Sequence, residues 1–412
     1  MANHFNVIPK NPPGMPESFT LHVPEKELSK FQELLRLSKI GPATWWNQHT
    51  DGQFGISREW LSQAKETWLT SFDWRKHEEH INSFPNFKMT VKDVEAGQIE
   101  LHFAALFSKN KNAIPVVFLH GFPASFTEFL PMMQLLANKY TPETLPYHII
   151  APSLPGYGLS GSPCQDVEMT LELAARIMNQ LMIDLGFGKG YVAQGGDLGS
   201  LLARIMSVRY DACKAFHLNM LVLNAGETVP PFDDLTTEEL QIMERTEVWH
   251  KTGLAFALEH GTRPSTVGLA ISSNPLALLA WIGEKLVEWV DPRGPFSIDT
   301  VLSMFVSRRD GQGLSEGKPH PTSKEKPLGY SMFAHDLAVL PQAWAKQIYP
   351  NLAFFKTHSI VNRITPLCNI LWTLSLIHSQ GGHFASLEQP EAFLEDIEEF
   401  VESVTRLFST KQ

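Results

Sequence analysis

The chain has 412 residues, of which 43% are hydrophobic and 19% are charged, and its formal net charge is -10. This composition is ordinary for a globular protein with a large core, and the acidic balance disfavours nucleic acid as a partner. The three cysteines lie far apart, so we expect neither a disulfide framework nor a cysteine metal site. The sequence contains no evident secretory leader and no apolar run of about 18 residues. It therefore predicts a cytoplasmic protein without a membrane span.

The first region, residues 1–94, is rich in Trp and Pro and contains two amphipathic helical patterns, at 25–37 and 57–72. We predict no pair of strands there. From residue 95 to 222, short apolar runs bounded by turn residues alternate with helical segments. The predicted strands lie at 114–119, 147–151, 191–193 and 216–222, and the predicted helices at 129–139, 171–185 and 198–209. This alternation is typical of a parallel sheet covered on both faces.

Residues 223–325 lose the strand signal and show helical periodicity instead, which predicts an inserted helical lid. Its helices are predicted at 236–252, 253–259 and 274–290. In the last region, residues 326–412, strand patterns return and a long amphipathic helix follows. These elements are predicted at 328–333, 352–356 and 391–408. The chain is thus predicted to have an α/β fold interrupted by a lid.

The sharpest local motif is GGDLGS at 195–200, between a predicted strand and a predicted helix. A nucleophile on a tight strand-to-helix turn needs small neighbours, and Gly195, Gly199 and Ser200 surround Asp197 in this way. The turn also places the Asp197 carboxylate at a helix N-terminus, which stabilises negative charge. Because Asp is also a favoured ordinary helix cap, the motif alone leaves both interpretations open.

A second motif, HGFP at 120–123, directly follows the predicted strand 114–119. A loop at this position can turn the backbone N–H of Phe122 towards the nucleophile. Together with the N–H of Leu198, it would form an oxyanion hole with two donors. An ordinary proline turn after a strand would use the same residues.

The remaining candidates are His383, in GGHF at 381–384, and Asp336, shortly after the predicted strand 328–333. His383 is a candidate general base, and Asp336 could hold its ring in the required tautomer. Each residue alone has an ordinary structural explanation. Their order, however, is oxyanion loop, nucleophile, acid and histidine, and most of them follow predicted strands, where open α/β sheets place their sites. The combination favours a hydrolytic site with Asp197 as nucleophile.

Four motifs in this order resemble those of microsomal-type epoxide hydrolases, especially fungal ones: HGFP, APSLPGYGLS at 151–160, QGGDLGS at 194–200 and QGGHFASLEQP at 380–390. The segment SFDWRKHEEHINSFPNFK at 71–88 is similar to the N-terminal meander of that family. The segment at 259–286 is similar to its lid. The resemblance covers nearly the whole chain. It implies an α/β-hydrolase fold with a meander at 1–94, core segments at 95–222 and 326–412, and a lid at 223–325.

The resemblance also implies a mechanism. Asp197 would open a hydrophobic epoxide to give an ester, and His383, oriented by Asp336, would activate water to release a vicinal diol. No metal or organic cofactor is expected. The expected partners are a small-molecule epoxide and water, with a homodimer as a candidate assembly. The implied physiological roles are detoxification or aromatic hydrocarbon catabolism.

The sequence departs from the family at the acid that opens the ring. Phe256 occupies the position of the first of two lid tyrosines, where it is expected to contact substrate, and no Tyr occurs between Tyr210 and Tyr330. Because Phe cannot donate a proton, we expect weak activity. Two alternatives remain. One is a haloalkane dehalogenase, which Leu198 disfavours because those enzymes have Trp beside the nucleophile; the other is a catalytically silent scaffold.

A second departure is the apolar segment 359–378, which separates the strand predicted at 352–356 from the His383 loop. The family passes almost directly from this strand to the histidine loop. We interpret the segment as a translated intron or a miscalled gene boundary, and the shortened lid after Phe305 as the complementary loss. Our hypothesis is that this segment is not part of the working hydrolase.

Overall fold

A computed structural model describes residues 2–9, 12–48, 54–163, 166–223, 230, 235–305, 321–358 and 381–408 of the chain. The apolar segment 359–378 therefore lies outside the described residues, as does the part of the predicted lid at 306–320. The interpretation of both stays a hypothesis.

A single mixed sheet forms the centre of the described structure. Its strands are β1 (Glu17–Phe19), β2 (Asn86–Asp93), β3 (Gly97–Leu106), β4 (Ile114–Leu119), β5 (Tyr147–Pro152), β6 (Tyr191–Gly195), β7 (Cys213–Leu218), β8 (Leu328–Phe333) and β9 (Leu352–His358). Their spatial order is β1-β2-β3-β5-β4-β6-β7-β8-β9. The pairs from β5 through β9 are parallel, whereas β1, β2, β3 and β5 pair antiparallel. Buried apolar runs such as IPVVFL in β4 are what a sheet covered on both faces requires.

The prediction of no strand pair in residues 1–94 was wrong. Strand β1 pairs antiparallel with β2, which in turn forms a hairpin with β3 across the proposed region boundary at 94/95. The signal for β2 was present, because Phe87, Met89 and Val91 are buried and alternate with more exposed residues. Strand β1 has only three residues and is mostly exposed, so it is too short to show a period.

Long and short helices cover the sheet, and the long ones agree closely with the predicted segments. They are α4 (Leu130–Lys139), α5 (Leu171–Met182), α6 (Asp197–Arg209), α12 (Gln342–Ile348), α13 (Ala385–Glu388) and α14 (Pro390–Val404). Of these, α12 and α13 were not predicted, because four to seven residues give little periodicity. Strand β7 begins three residues earlier than predicted and ends at Leu218, because apolar residues continue the hydrophobic run beyond the end of the ladder.

Two further groups of helices come from the N-terminal region and from the insertion after β7. The N-terminal group is α1 (Glu25–Leu37), α2 (Arg58–Thr70) and α3 (Trp74–Asn82), and the inserted group is α7 (Thr237–Thr252), α8 (Ala255–Thr262), α9 (Pro264–Ser272), α10 (Pro275–Glu288) and α11 (Ile298–Phe305). One apolar cluster joins both groups to the loop that carries His383. Its members include Leu35 and Trp68 from the first group, Leu279 and Trp289 from the second, and Phe384.

Among the residues that the structure describes, no single helix is long and apolar enough to cross a membrane. Helices α9 and α10 reach the requirement only as a pair, and they are bent by 116° where they join.

Candidate active site

Asp197 lies on a tight turn between the end of β6 and the start of α6. Its φ of 49° is the one positive value among the non-glycine residues that the structure describes, and such a conformation is strained for a residue with a Cβ. Gly199 lets the turn pack directly against β4, because a Cβ on it would overlap the carbonyl oxygen of Leu119. Ser200 Oγ donates to the Asp197 carbonyl at 2.6 Å. The turn therefore presents the carboxylate at the helix N-terminus, as the GGDLGS motif predicts.

The HGFP loop contacts the carboxylate from the neighbouring strand. The backbone N–H of Phe122 donates to Asp197 Oδ1 at 2.6 Å, and the Phe122–Pro123 bond is cis. Gly121 permits this approach, because a Cβ there would overlap the Asp197 side chain. Leu198 lies in the first turn of α6, directly after Asp197. The N–H of Phe122, one of the two predicted donors, thus contacts Asp197. The role of the other donor, the N–H of Leu198, stays a prediction.

His383 connects Asp197 to Asp336. Its Nε2 is 3.6 Å from Asp197 Oδ2, and its Nδ1 is 2.7 Å from Asp336 Oδ1, which also accepts the N–H of Leu337 at 2.7 Å. The side chains of His383 and Asp336 are almost fully buried, whereas Asp197 keeps 24% of its side chain exposed. The structure therefore brings together the three side chains that the sequence singled out, although they are separated by up to 186 positions.

The charges around His383 set its protonation. Burial by itself lowers the pKa of the imidazole, but the carboxylates of Asp336 and Asp197 more than offset this and raise it to about 10. Burial also raises the pKa of Asp336, and the N–H donors on its Oδ1 oppose that rise. With Asp197 negatively charged, His383 is therefore an imidazolium at neutral pH.

The loop that carries His383 is held by residues that the sequence did not single out. The N–H of His383 donates to the carbonyl of Trp289 at 3.0 Å. The carboxylate of Asp291 accepts the N–H of Gly381 at 3.0 Å. Glu388 accepts three backbone N–H groups, from residues 291, 382 and 384. The segment after α10 thus fixes the histidine loop through backbone contacts, which no residue pattern in the sequence reveals.

Phe256 lies in α8 above the site. Its ring stacks on that of Phe122, with centroids 5.5 Å apart and planes 11° from parallel, and it lies 5.1 Å from the ring of Trp289. Trp289 is buried and meets His383 edge-on at 5.1 Å. On the far side, the ammonium group of Lys285 lies 5.1 Å from the centre of the Phe256 ring. The half-buried Phe256 therefore belongs to an apolar wall directly over the oxyanion loop.

Three polar residues that the sequence did not predict also line the space beside Asp197. They are Glu128, from the 3₁₀ turn before α4, Asn219, directly after β7, and Ser386, in α13. All three are ordinary residue types without a motif, so the sequence gives no signal for them. Within the described ranges, no group of three or more His, Cys, Asp or Glu side chains is arranged to hold a metal ion.

The sequence matches two family models. Residues 16–129 match the family described as epoxide hydrolase N terminus, and residues 114–257 match the alpha/beta hydrolase fold. Together they span the N-terminal helices, the nucleophile turn, the oxyanion loop and the start of the inserted helices.

Individual relatives extend the likeness over nearly the whole chain. A "Putative epoxide hydrolase" of Dothistroma septosporum is 40% identical over 97% of this chain and 92% of its own length. The structure of the Aspergillus niger epoxide hydrolase is also 40% identical, superposes with a TM-score of 0.85, and covers 97% of this chain and 100% of that chain. Epoxide hydrolase 1 of Sus scrofa is 26% identical over 93% of this chain and 88% of its own length.

The packing of the nucleophile turn generates a first prediction. Replacing Gly199 by Ala should lower the free energy of unfolding by at least about 2 kcal/mol, because the added methyl overlaps the backbone of β4. Urea unfolding measures this change. Gly261→Ala is the matched control, since α8 leaves open space around that position and Ala is the better helix former by up to about 1 kcal/mol. An unfolding free energy that is unchanged in Gly199→Ala would contradict the packing described here.

Proposed function

The chain belongs to the microsomal-type epoxide hydrolases, a family of the α/β-hydrolases, and from this premise we propose that it hydrolyses a hydrophobic epoxide to a vicinal diol through an ester on Asp197. The observation that supports this most strongly is the convergence on one carboxylate. Asp197 Oδ1 accepts the N–H of Phe122, while Oδ2 faces the imidazole of His383. A carboxylate held in this way suits attack on a saturated carbon, because attack on an acyl group would give an anhydride.

In the first step, Asp197 Oδ2 attacks an epoxide carbon. A C–O bond to the enzyme forms, the ring C–O bond breaks, and the ring oxygen takes up a proton from water. In the family that the sequence resembles, two lid tyrosines bind this oxygen. Here the wall above the site contains Phe256 instead, and the sequence has no Tyr between 210 and 330. Ring opening is therefore the step that we expect to be slow.

In the second step, water attacks Cγ of Asp197 and passes a proton to His383. The oxyanion is stabilised by the N–H of Phe122 and, as we propose, by that of Leu198. Esterification removes the negative charge of Asp197, which is one of the charges that raise the pKa of His383. The imidazole therefore loses its proton more readily once the ester exists. Collapse of the intermediate breaks the ester bond, and the departing alkoxide takes the proton from His383.

The apolar wall supports a hydrophobic substrate. The stacked rings of Phe122 and Phe256 lie over the nucleophile, and Trp289 lies behind them. An aryl or alkyl group attached to the epoxide would bury its surface here. The dehalogenase alternative gains no support, because the residue beside the nucleophile is Leu198, whose side chain donates no hydrogen bond to a leaving halide.

Replacing His383 by Gln should separate the two steps. Ester formation on Asp197 should persist, whereas steady-state diol release should fall by about 10²–10⁴-fold, because water loses its general base. Rapid quench with an aryl epoxide, followed by mass spectrometry of the Asp197 peptide, would show one ester per enzyme. Asp197→Ala is the control and should form none. Undiminished turnover in either variant would contradict the assigned roles.

The pH dependence of ester hydrolysis should report the charge of Asp336. The reaction needs neutral His383, so its rate rises as pH increases through the pKa of that imidazole. Asp336 raises this pKa, so Asp336→Asn should move the rise to lower pH while the maximal rate falls by about 10²-fold through lost orientation of the ring. Single-turnover rates measured across pH test both changes. A rise that stays in place or moves to higher pH would exclude Asp336 as the partner of His383.

Restoring a lid hydroxyl should accelerate ring opening. We expect weak activity of the wild-type protein on unactivated epoxides and an increase of about 10²-fold in the rate of ester formation for Phe256→Tyr, since a positioned acid contributes this much. Phe256→Leu is the matched control, because it changes the ring without adding a donor. Fast turnover by the wild type, together with no gain in Phe256→Tyr, would show that another group supplies the proton. Absence of ester and diol even in Phe256→Tyr would favour the scaffold alternative.

A further inference from the structure

A cavity of about 10 Å³ lies between the nucleophile turn and the His383 loop. This is room for roughly one water molecule. Its wall includes the side chains of Asp197 and His383, which the second step requires, and also those of Glu128, Asn219 and Ser386. A water in this cavity would lie next to both the carbon that it must attack and the base that must accept its proton.

Glu128 is a residue of this wall that has no role in the two proposed steps. Its side chain is buried, and within the described part of the chain it forms no ion pair with Lys or Arg. The hydroxyl of Ser386 donates to Glu128 Oε2 at 2.9 Å, and the backbone of Gly121 also hydrogen-bonds the carboxyl. Burying a carboxyl without a Lys or Arg partner is costly, so its position beside Asp197 calls for a function.

The hydrolytic water of the second step gives Glu128 such a function. A water that attacks Asp197 must direct a lone pair at Cγ while one of its O–H bonds points to His383 Nε2. Its second O–H bond then needs an acceptor, because an unpaired donor in a buried cavity costs on the order of 1–3 kcal/mol. The carboxylate of Glu128 can accept it. When both hydrogens are held by acceptors, the orientation of the water molecule is fixed, and a lone pair points at the ester carbon.

Resting on the proposed function, we propose that Glu128 is the positioning residue for the hydrolytic water, accepting its second hydrogen while His383 removes the first. The new C–O bond joins the water oxygen to Cγ of Asp197, the abstracted proton goes to His383, and the other hydrogen stays on that oxygen in its hydrogen bond to Glu128. When the ester bond breaks, the alkoxide of the product takes the proton from His383. The water oxygen remains in the carboxylate of Asp197.

The charges facing Glu128 change during this cycle. Burial, together with the negative charge of Asp197, raises the pKa of Glu128 to about 7, while the positive charge of His383 and the hydrogen bonds from Ser386 and Gly121 oppose the rise. Esterification neutralises Asp197 and so removes one cause of the raised pKa, but the loss of the His383 proton has the opposite effect. When His383 takes up a proton from the water, its positive charge again favours the carboxylate form of Glu128.

The test measures the fraction of Asp197 present as ester during steady-state turnover of styrene oxide by the full-length protein. This fraction depends on the ratio of ester formation to ester hydrolysis, so it responds whichever step limits the wild type. Glu128→Gln keeps the size of the side chain but replaces an acceptor oxygen by a donor. We expect hydrolysis to slow by about 10²-fold with little change in ester formation, so the ester fraction should rise. Ser386→Ala, which removes only the orienting hydroxyl, should raise it less.

Glu78→Gln is the matched control. Glu78 is another buried Glu, but it lies in α3 and pairs with Arg75 and with the backbone N–H of Val23. Its replacement makes the same carboxyl-to-amide change away from the cavity, so the ester fraction should stay near that of the wild type. An ester fraction that is unchanged or lower in Glu128→Gln, or one that rises equally in Glu78→Gln, would overturn the proposal. Absence of ester and diol in the wild type would instead refute the proposed function itself.

Discussion

The structure of the site depends on where the negative charge of Asp197 is held. Its carboxylate lies at the N-terminus of α6, receives the N–H of Phe122, and faces the imidazole of His383. The backbone reaches this position only through a positive φ and through glycines that let α6 approach β4. Each neighbouring group responds to that charge. It raises the pKa of both His383 and Glu128. In the mechanism that we propose, esterification removes this charge and lets the imidazole of His383 lose its proton before water reacts.

The histidine loop is fixed by a different part of the chain. Its backbone N–H groups donate to the carbonyl of Trp289 and to the carboxylates of Asp291 and Glu388. Burial opposes the charge on Asp291, but the guanidinium of Arg293 and the N–H of Gly381 hold its pKa well below the usual range, so the acceptor stays ionised. Because Trp289 packs on both Phe256 and His383, it joins the inserted helices to the histidine loop.

The sequence predicted the parts of this site that local geometry dictates. No Cβ fits at Gly195 or Gly199 on either side of Asp197, and the strand before Phe122 is a buried apolar run, so both motifs stand out in the sequence. The pairing of Asp336 with His383 followed from chain order and was found at 2.7 Å. Contacts between distant residues of ordinary type could not be predicted. Glu128 and Ser386 lie 258 positions apart, and nothing in either segment indicates that the other will face it.

In the reaction that we propose, the oxygen that the substrate gains comes from Asp197 and not directly from water. A single turnover in H₂¹⁸O, with enzyme in excess over epoxide, distinguishes these two sources. Attack by Asp197 gives an unlabelled new hydroxyl in the diol and one ¹⁸O atom in the carboxylate of Asp197, detected by mass spectrometry of the peptide. Label in the diol of the first turnover, with none in Asp197, would rule out the ester.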